Sequence, residues 1–309
     1  MTASAIPSGS GTAMASSEID RVRALLASRP RPTGLAERRE RLDWLGSLST
    51  LPQDVRAEPA EAGGVPAEWT VTPGADPGRV LLFLHGGGYV SGSLASHRVM
   101  VAQAGREAGA RTLALAYRLA PEHPFPAALE DALAAYSFLL ASGVEPGRIC
   151  LAGESAGGGL ALATLVRLRE AGTPMPACLW CASPWTDLAM TGASIDARDA
   201  VDPIIHRGYL EDLAAAYLNG ADPGGPLVSP LHADLRDLPP TLIQVGSAET
   251  LLDDSVRLAR ALAAADVAVT LAVWPHMIHA WHLFHQQLRE GRDSLAQAGR
   301  FVRAHTREA

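Results

Sequence analysis

From Arg79 onward, short apolar runs alternate with amphipathic stretches of helical length. Residues 80–84, 112–117, 149–153, 178–183, 241–245 and 267–273 have the length and apolar character of buried strands. Residues 96–108, 126–140, 156–171, 252–264 and a last stretch near 293–306 have helical spacing. Alternation of this kind predicts a mostly parallel sheet with helices on both faces. Ahead of it, 17–28 and 36–48 show helical spacing, and 55–72, broken by Pro59, Gly63, Gly64 and Pro66, reads as two antiparallel strands.

One stretch breaks the rhythm. Residues 186–238 separate two strands and contain a helical piece, 206–218, followed by a Pro/Gly-rich segment from Gly220. A long excursion at the C-terminal end of a strand is expected to cover a site. The expected organisation is a helical cap segment at 1–50, a core at 51–185, a cap insertion at 186–238 and the rest of the core at 239–309. Met190, Ile195, Ile204, Ile205, Tyr209 and Leu213 supply the insertion's apolar surface.

Composition narrows the chemistry. With 26 basic and 33 acidic residues the formal charge is −7, which gives no electrostatic case for nucleic acid or an anionic membrane. All 26 basic residues are Arg, so Schiff-base, P-loop and Ser-x-x-Lys mechanisms are excluded. The first twenty residues lack the basic start and apolar run of a signal peptide, and no run reaches the length of a membrane span. Three cysteines cannot all pair, and Cys150 and Cys178 lie in apolar strands, as expected of reduced core thiols in a cytoplasmic protein. Cys178 and Cys181 have CxxC spacing, but strand positions three apart face opposite sides.

The strand at 149–153 turns at Gly153-Glu-Ser-Ala-Gly157 straight into a helix. A serine on such a turn is lifted clear of the sheet, over the amides of the helix N-terminus. Gly153 and Gly157 suit places where a side chain would strike a neighbouring element. Ser155 is therefore a candidate nucleophile. The strand at 80–84 empties into His85-Gly-Gly-Gly88, where successive amides can point into a cavity and stabilise an oxyanion, an effect of about 3 kcal/mol per donor. A phosphate loop would need the absent Gly-Lys-Ser/Thr, and neither glycine run has the GxGxxG spacing of a dinucleotide site.

The base is sought after the last strand, where His276, His279, His282 and His285 recur every third residue. A metal site is one alternative, but no acidic or cysteine partner lies nearby in sequence. His279 is the first candidate for general base and His276 the second; His282 and His285 are expected on a following helix as surface or cap contacts. The acid is sought after the preceding strand. Glu249 lies in the loop just past it, with Asp253 as fallback; Asp253 and Asp254 open the next helix, where carboxylates favour the dipole. The chain order Ser155, Glu249, His279 is that of a nucleophile–acid–base triad on this architecture.

From about Val80 to Thr306 the chain resembles the α/β-hydrolase fold, specifically the bacterial hormone-sensitive-lipase-like esterases. His85-Gly-Gly-Gly88, Gly153-Glu-Ser-Ala-Gly-Gly158 and Tyr117-Arg-Leu-Ala-Pro-Glu-His-Pro-Phe-Pro-Ala127 carry the likeness. The resemblance implies an oxyanion hole from the amides of Gly87, Gly88 and Ala156, and a triad of Ser155, Glu249 and His279. It also implies acyl-enzyme hydrolysis of short, water-soluble esters with no metal or organic cofactor. Three positions depart from the family pattern: Glu154 stands for its Asp, Glu249 for an Asp before Pro-Leu, and Ala280 for the Gly after the histidine. Tyr89, Trp185, Ile204 and Ile278 are candidate pocket walls, against a reading of each as core packing. Relatives often dimerise through the last edge strand, so 267–273 is the expected homodimer surface. The competing readings are a lactone hydrolase or natural-product deacetylase with the same triad, and a non-catalytic small-molecule-binding protein on the same fold.

Overall fold

The computed structural model describes residues 17–306, so the first sixteen residues of the expected 1–50 cap segment lie outside the described residues. The described chain opens with α1 (Glu18–Ala27) and α2 (Leu35–Ser47), followed by a hairpin of β1 (Arg56–Ala62) and β2 (Val65–Val71). The repeating part comprises β3 (Asp76–Leu84), α3 (Leu94–Ala108), β4 (Ala110–Leu115), α4 (Ala127–Ala141), β5 (Ile149–Glu154), α5 (Ala156–Glu170) and β6 (Cys178–Ala182). The insertion holds α6 (Ser194–Ala197) and α7 (Arg207–Leu218), after which come β7 (Thr241–Gly246), α8 (Leu252–Ala264), β8 (Val269–Trp274) and α9 (Arg289–His305).

The strands form one eight-stranded sheet in the order β1-β2-β4-β3-β5-β6-β7-β8. The pairings β1·β2 and β2·β4 are antiparallel; the other five are parallel. β3 starts four residues before the apolar run, because its polar entrance is held by Asp76 N donating to Gly109 O at 3.0 Å.

Alternation along the central strands divides the core in two. Leu82, Leu84, Leu151, Leu179, Cys181 and Ile243 face α4, α5 and α8, while Leu81, Phe83, Cys150, Cys178, Trp180 and Leu242 face α3 and α9. Each central strand buries both faces, which is why it reads as a continuous apolar run. Cys178 and Cys181 thus sit on opposite faces, and all three thiols are free and buried. β8 is the edge strand, with Val273 exposed.

His282 and His285 depart from the sequence expectation. They lie in and just after a 3-10 turn, Trp281–Phe284, and both are buried. His282 Nε2 meets Gln244 Oε1 at 3.1 Å, and that oxygen also accepts from Trp180 Nε1 at 2.9 Å. Burial, followed by the charges of His279 and His285, pushes the His282 pKa down to about 3, so the ring is a neutral core group.

Candidate active site

One residue separates the end of β5 from the start of α5, and that residue is Ser155. Its backbone is held at φ +54° and ψ −121°, a conformation that L-residues rarely adopt. The surroundings over-determine it: Ser155 N donates to Ala182 O at 2.9 Å, and Ser155 O accepts from the amides of Gly158, Gly159 and Trp185. A Cβ on Gly153 would collide with the Gly157 carbonyl, and one on Gly157 with Leu84 O. Both glycines therefore let the first turn of α5 seat against β3 and β5, and the Ser155 side chain is left facing a cavity.

His279 follows β8 and Glu249 follows β7, so parallel neighbouring strands deliver both to the same end of the sheet. His279 Nε2 lies 3.0 Å from Ser155 Oγ, and His279 Nδ1 lies 3.1 Å from Glu249 Oε2. An ionised carboxylate only accepts, so Nδ1 carries the proton and the Nε2 lone pair faces the hydroxyl. The other oxygen of Glu249 accepts from Ser183 Oγ at 2.9 Å and from the Gly246 amide. Burial pushes the Glu249 pKa up, and its bond to His279 pulls it back. Burial disfavours the His279 imidazolium, but the hydrogen bond and charge of Glu249, then the charges of Glu154 and Asp202, outweigh it. The ring is more basic than an ordinary imidazole.

The fallback residues lie elsewhere. Asp253 accepts from Ser194 N at 2.9 Å and does not partner His279. His276 is exposed, with its amide bound to Ser247 Oγ at 2.8 Å. The four regularly spaced histidines diverge, and among the described residues no group of three or more His, Cys, Asp or Glu is arranged to hold a metal ion.

The glycine loop after β3 bends back on itself. Gly87 and Gly88 have φ of +113° and +63°, and Gly87 O accepts from the Val90 and Ser91 amides at 3.2 and 3.0 Å. A trans peptide points its N–H opposite its carbonyl, so the Gly88 amide turns away from Ser91. Gly87, Gly88 and Ser155 all border the cavity. Ala156 is the first residue of α5, where amides have no intrahelical acceptor. The Tyr117 stretch supports this loop: its ring stacks on His85 at 4.2 Å and its hydroxyl donates to His85 O at 2.7 Å.

Glu154 is closer to the chemistry than its place beside the nucleophile suggested. Its Oε2 meets His97 Nε2 at 3.1 Å, while Oε1 lies 3.5 Å from His279 Nε2, buried and without a hydrogen-bond partner among the described residues. A side chain on Gly86 would collide with this carboxylate.

The cavity is walled largely by Leu42, Trp185, Ile204, Tyr209, Leu213 and Leu283. Of the four candidate walls, Trp185 and Ile204 border the cavity, and Tyr89 and Ile278 do not. Tyr89 turns into the core and stacks on Tyr217 at 3.8 Å, and Ile278 is fully buried on the α3/α9 side. Leu42 of α2 and Leu283 carried no motif, and only the fold brings them here.

A doubly wound sheet, a serine at a strand-to-helix turn and a histidine–carboxylate pair beside it define a serine-hydrolase type of site. A family profile described as the alpha/beta hydrolase fold matches residues 81–283. The chain is 47% identical over 302 residues to an acetyl-hydrolase from Streptomyces hygroscopicus, covering 96% of this chain and 99% of that one. It is 34% identical over 262 residues to an esterase from Acinetobacter venetianus, covering 84% and 86%. A solved esterase from the bacterial hormone-sensitive lipase family superposes with a TM-score of 0.92 at 47% identity, covering 95% of this chain and all of that one. The chain therefore belongs to the alpha/beta hydrolase fold family, among the hormone-sensitive-lipase-like esterases, and is a carboxylic ester hydrolase.

Proposed function

We propose that the protein hydrolyses short-acyl or small aryl and alkyl esters through an acyl-enzyme on Ser155. The contact between His279 Nε2 and Ser155 Oγ, 3.0 Å, is the observation that carries this reading. In it, Oγ attacks the ester carbonyl as Nε2 takes its proton, while Glu249 holds the ring in the required tautomer. The amides of Gly87, Gly88 and Ala156 receive the oxyanion. His279 returns the proton to the departing alcohol, then activates the water that releases the acid. The N-terminal helices α1 and α2 act with residues 186–238 as the cap, and its apolar lining favours small esters.

A deacetylase of a natural product uses the same steps, and the acetyl-hydrolase relative at 47% identity favours it as the second reading. A cytoplasmic location and a homodimer joined through the exposed edge of β8 complete the proposal; light scattering of the purified protein tests the latter. The central experiment is turnover of a chain-length series of p-nitrophenyl esters. Short chains are expected to turn over fastest, with Ser155→Ala and His279→Ala lowering kcat by about 10⁴-fold or more. Turnover by Ser155→Ala equal to that of the unaltered protein would remove Ser155 from the chemistry.

A further inference from the structure

The cavity at Ser155 has a second compartment beyond it. Leu42, Leu45, Ile204 and Tyr209 wall both spaces. On the far side of that shared wall lies a small hollow that adds Leu26, Pro32 and Pro203 and three arginines, Arg31, Arg38 and Arg41. In a chain whose formal charge is −7, three guanidinium groups around one compartment next to the reacting centre are a local reversal of sign.

Only one of the three is neutralised. Arg38 pairs through Nη2 with Asp212 at 2.7 Å and stacks on the Tyr209 ring at 4.7 Å. Arg31 and Arg41 have no carboxylate within ion-pair distance among the described residues. Arg31 Nη2 donates to Asp202 O at 2.9 Å, and Arg41 Nη2 donates to Leu26 O at 2.8 Å. Arg41 lies over the Trp44 ring at 4.4 Å. The nearby carboxylates do not compensate: Glu37 is occupied by the Thr33 and Gly34 amides, and Glu40 borders the neighbouring surface groove. Arg38 Nε and Arg41 Nη1 are both buried with no hydrogen-bond partner. A guanidinium offers five donors in a planar fork matched to a carboxylate or phosphate. Here part of that capacity is unused, at buried atoms of residues that line a hollow sharing a wall with the ester-cleaving cavity.

We propose that this compartment is an anion subsite, so that the preferred substrate is a small ester bearing a carboxylate or similar anionic group remote from the scissile carbonyl. The proposal rests on the esterase reading above and narrows its substrate class. The reacting group enters the apolar cavity, while the anion stays among Arg31, Arg38 and Arg41. Burial, and then the like charge of Arg29, disfavours the Arg41 cation, a cost that a bound anion relieves.

The test compares kcat/KM for matched esters that differ in one charge. On the acyl side, mono-p-nitrophenyl esters of glutaric, adipic and pimelic acid are set against p-nitrophenyl esters of the same acids methylated at the far carboxyl. On the alcohol side, 4-acetoxyphenylacetate is set against its methyl ester. The two arms tell whether the anion belongs to the acyl or the leaving group. The expected result is an anionic preference of about tenfold on at least one arm, the order of a charge-assisted hydrogen bond. Arg41→Gln and Arg38→Gln should each lower the anionic-to-neutral ratio, and a ratio within each variant cancels any general loss of activity. If either variant fails to fold, salt provides the second reading. Raising NaCl from about 0.05 to 0.5 M should shrink the ratio in the unaltered protein. Ratios near one on both arms, insensitive to salt, would overturn the subsite while leaving the esterase intact. Failure to cleave even p-nitrophenyl butyrate would instead count against the esterase reading itself.

Discussion

On the sheet side of the cavity, Ser155, Glu249 and His279 hang from the ends of β5, β7 and β8, where interlocked backbone leaves them one arrangement. On the opposite side, the walls supplied by residues 186–238 are held by a few buried polar pins. Asp254 Oδ2 accepts from the amides of Thr186 and Asp187 at 2.7 and 2.9 Å, where the insertion begins. Asp202 accepts from the Ile204, Ile205 and Thr250 amides, joining the pocket wall to the residue after Glu249. Asp253 pins Ser194. Three carboxylates within six residues, Glu249, Asp253 and Asp254, thus serve opposite halves: one meets a histidine, and two hold residues of the 186–238 insertion. The proposed triad is thus placed by strand ends, and the facing wall by side-chain hydrogen bonds to backbone amides.

The largest expected break in this division is Glu249→Gln against Asp253→Asn. The Glu249→Gln variant should lower kcat by about 10² to 10⁴-fold, because an amide can present its NH₂ to Nδ1 and enforce the wrong tautomer. The Asp253→Asn variant should leave kcat within about threefold, since its loss is confined to the contact with Ser194. Equal losses in the two variants would erase the contrast.

Asp254→Ala strands two buried amides and should cost about 2–4 kcal/mol in urea unfolding. Burial pushes Asp254 up to about 7. A carboxyl whose folded pKa is raised favours the fold in its protonated state. Its contribution is therefore complete below its unfolded value near 4 and lost as pH rises through about 7. Asp254→Asn keeps an acceptor for the two amides and should flatten that part of the stability profile; an unchanged slope between about pH 4 and 7 would contradict the assignment.

The smallest effect expected is at Glu154. On the proposed mechanism His279 acts as a neutral base, so kcat/KM should rise with pH through its pKa. Removing the nearby carboxylate lowers that pKa, so Glu154→Gln should move the acidic limb down by a few tenths to about one unit. Glu154→Asp should restore it. Coincident profiles for all three proteins would show that the 3.5 Å approach has no electrostatic consequence.

Much of this is legible in sequence for one reason: parallel strands are buried on both faces, so 149–153 and 241–245 announce themselves, and chemistry on this fold sits at their ends. Ser155 and Glu249 are found by looking just past the last apolar residue of a strand. The same reasoning fails where polar residues enter the core with private partners. His282 reads as a surface residue because nothing in its neighbourhood reveals the Gln244 amide 38 residues earlier that satisfies it. Tyr89 reads as a pocket wall because it comes directly after the glycine loop, yet its positive φ and the Tyr217 ring carry it inward. Glu154 reads as a conservative variation, since its approach to His279 joins the end of β5 to a loop 125 residues later. Cavity walls such as Leu42 are hidden for the same reason: ordinary apolar residues line a cavity only through which helix lies over it.

The buried thiols give the molecule an internal clock. Cys150 and Cys181 lie on adjacent central strands facing opposite layers, and burial pushes both thiols up, away from the reactive thiolate. A thiol-reactive dye can reach them only when β5 and β6 open, so its rate of incorporation counts excursions of the sheet's centre. Carried out while an ester is turning over, the same labelling would report opening of the core alone, since residues 186–238 carry no cysteine for the dye to find.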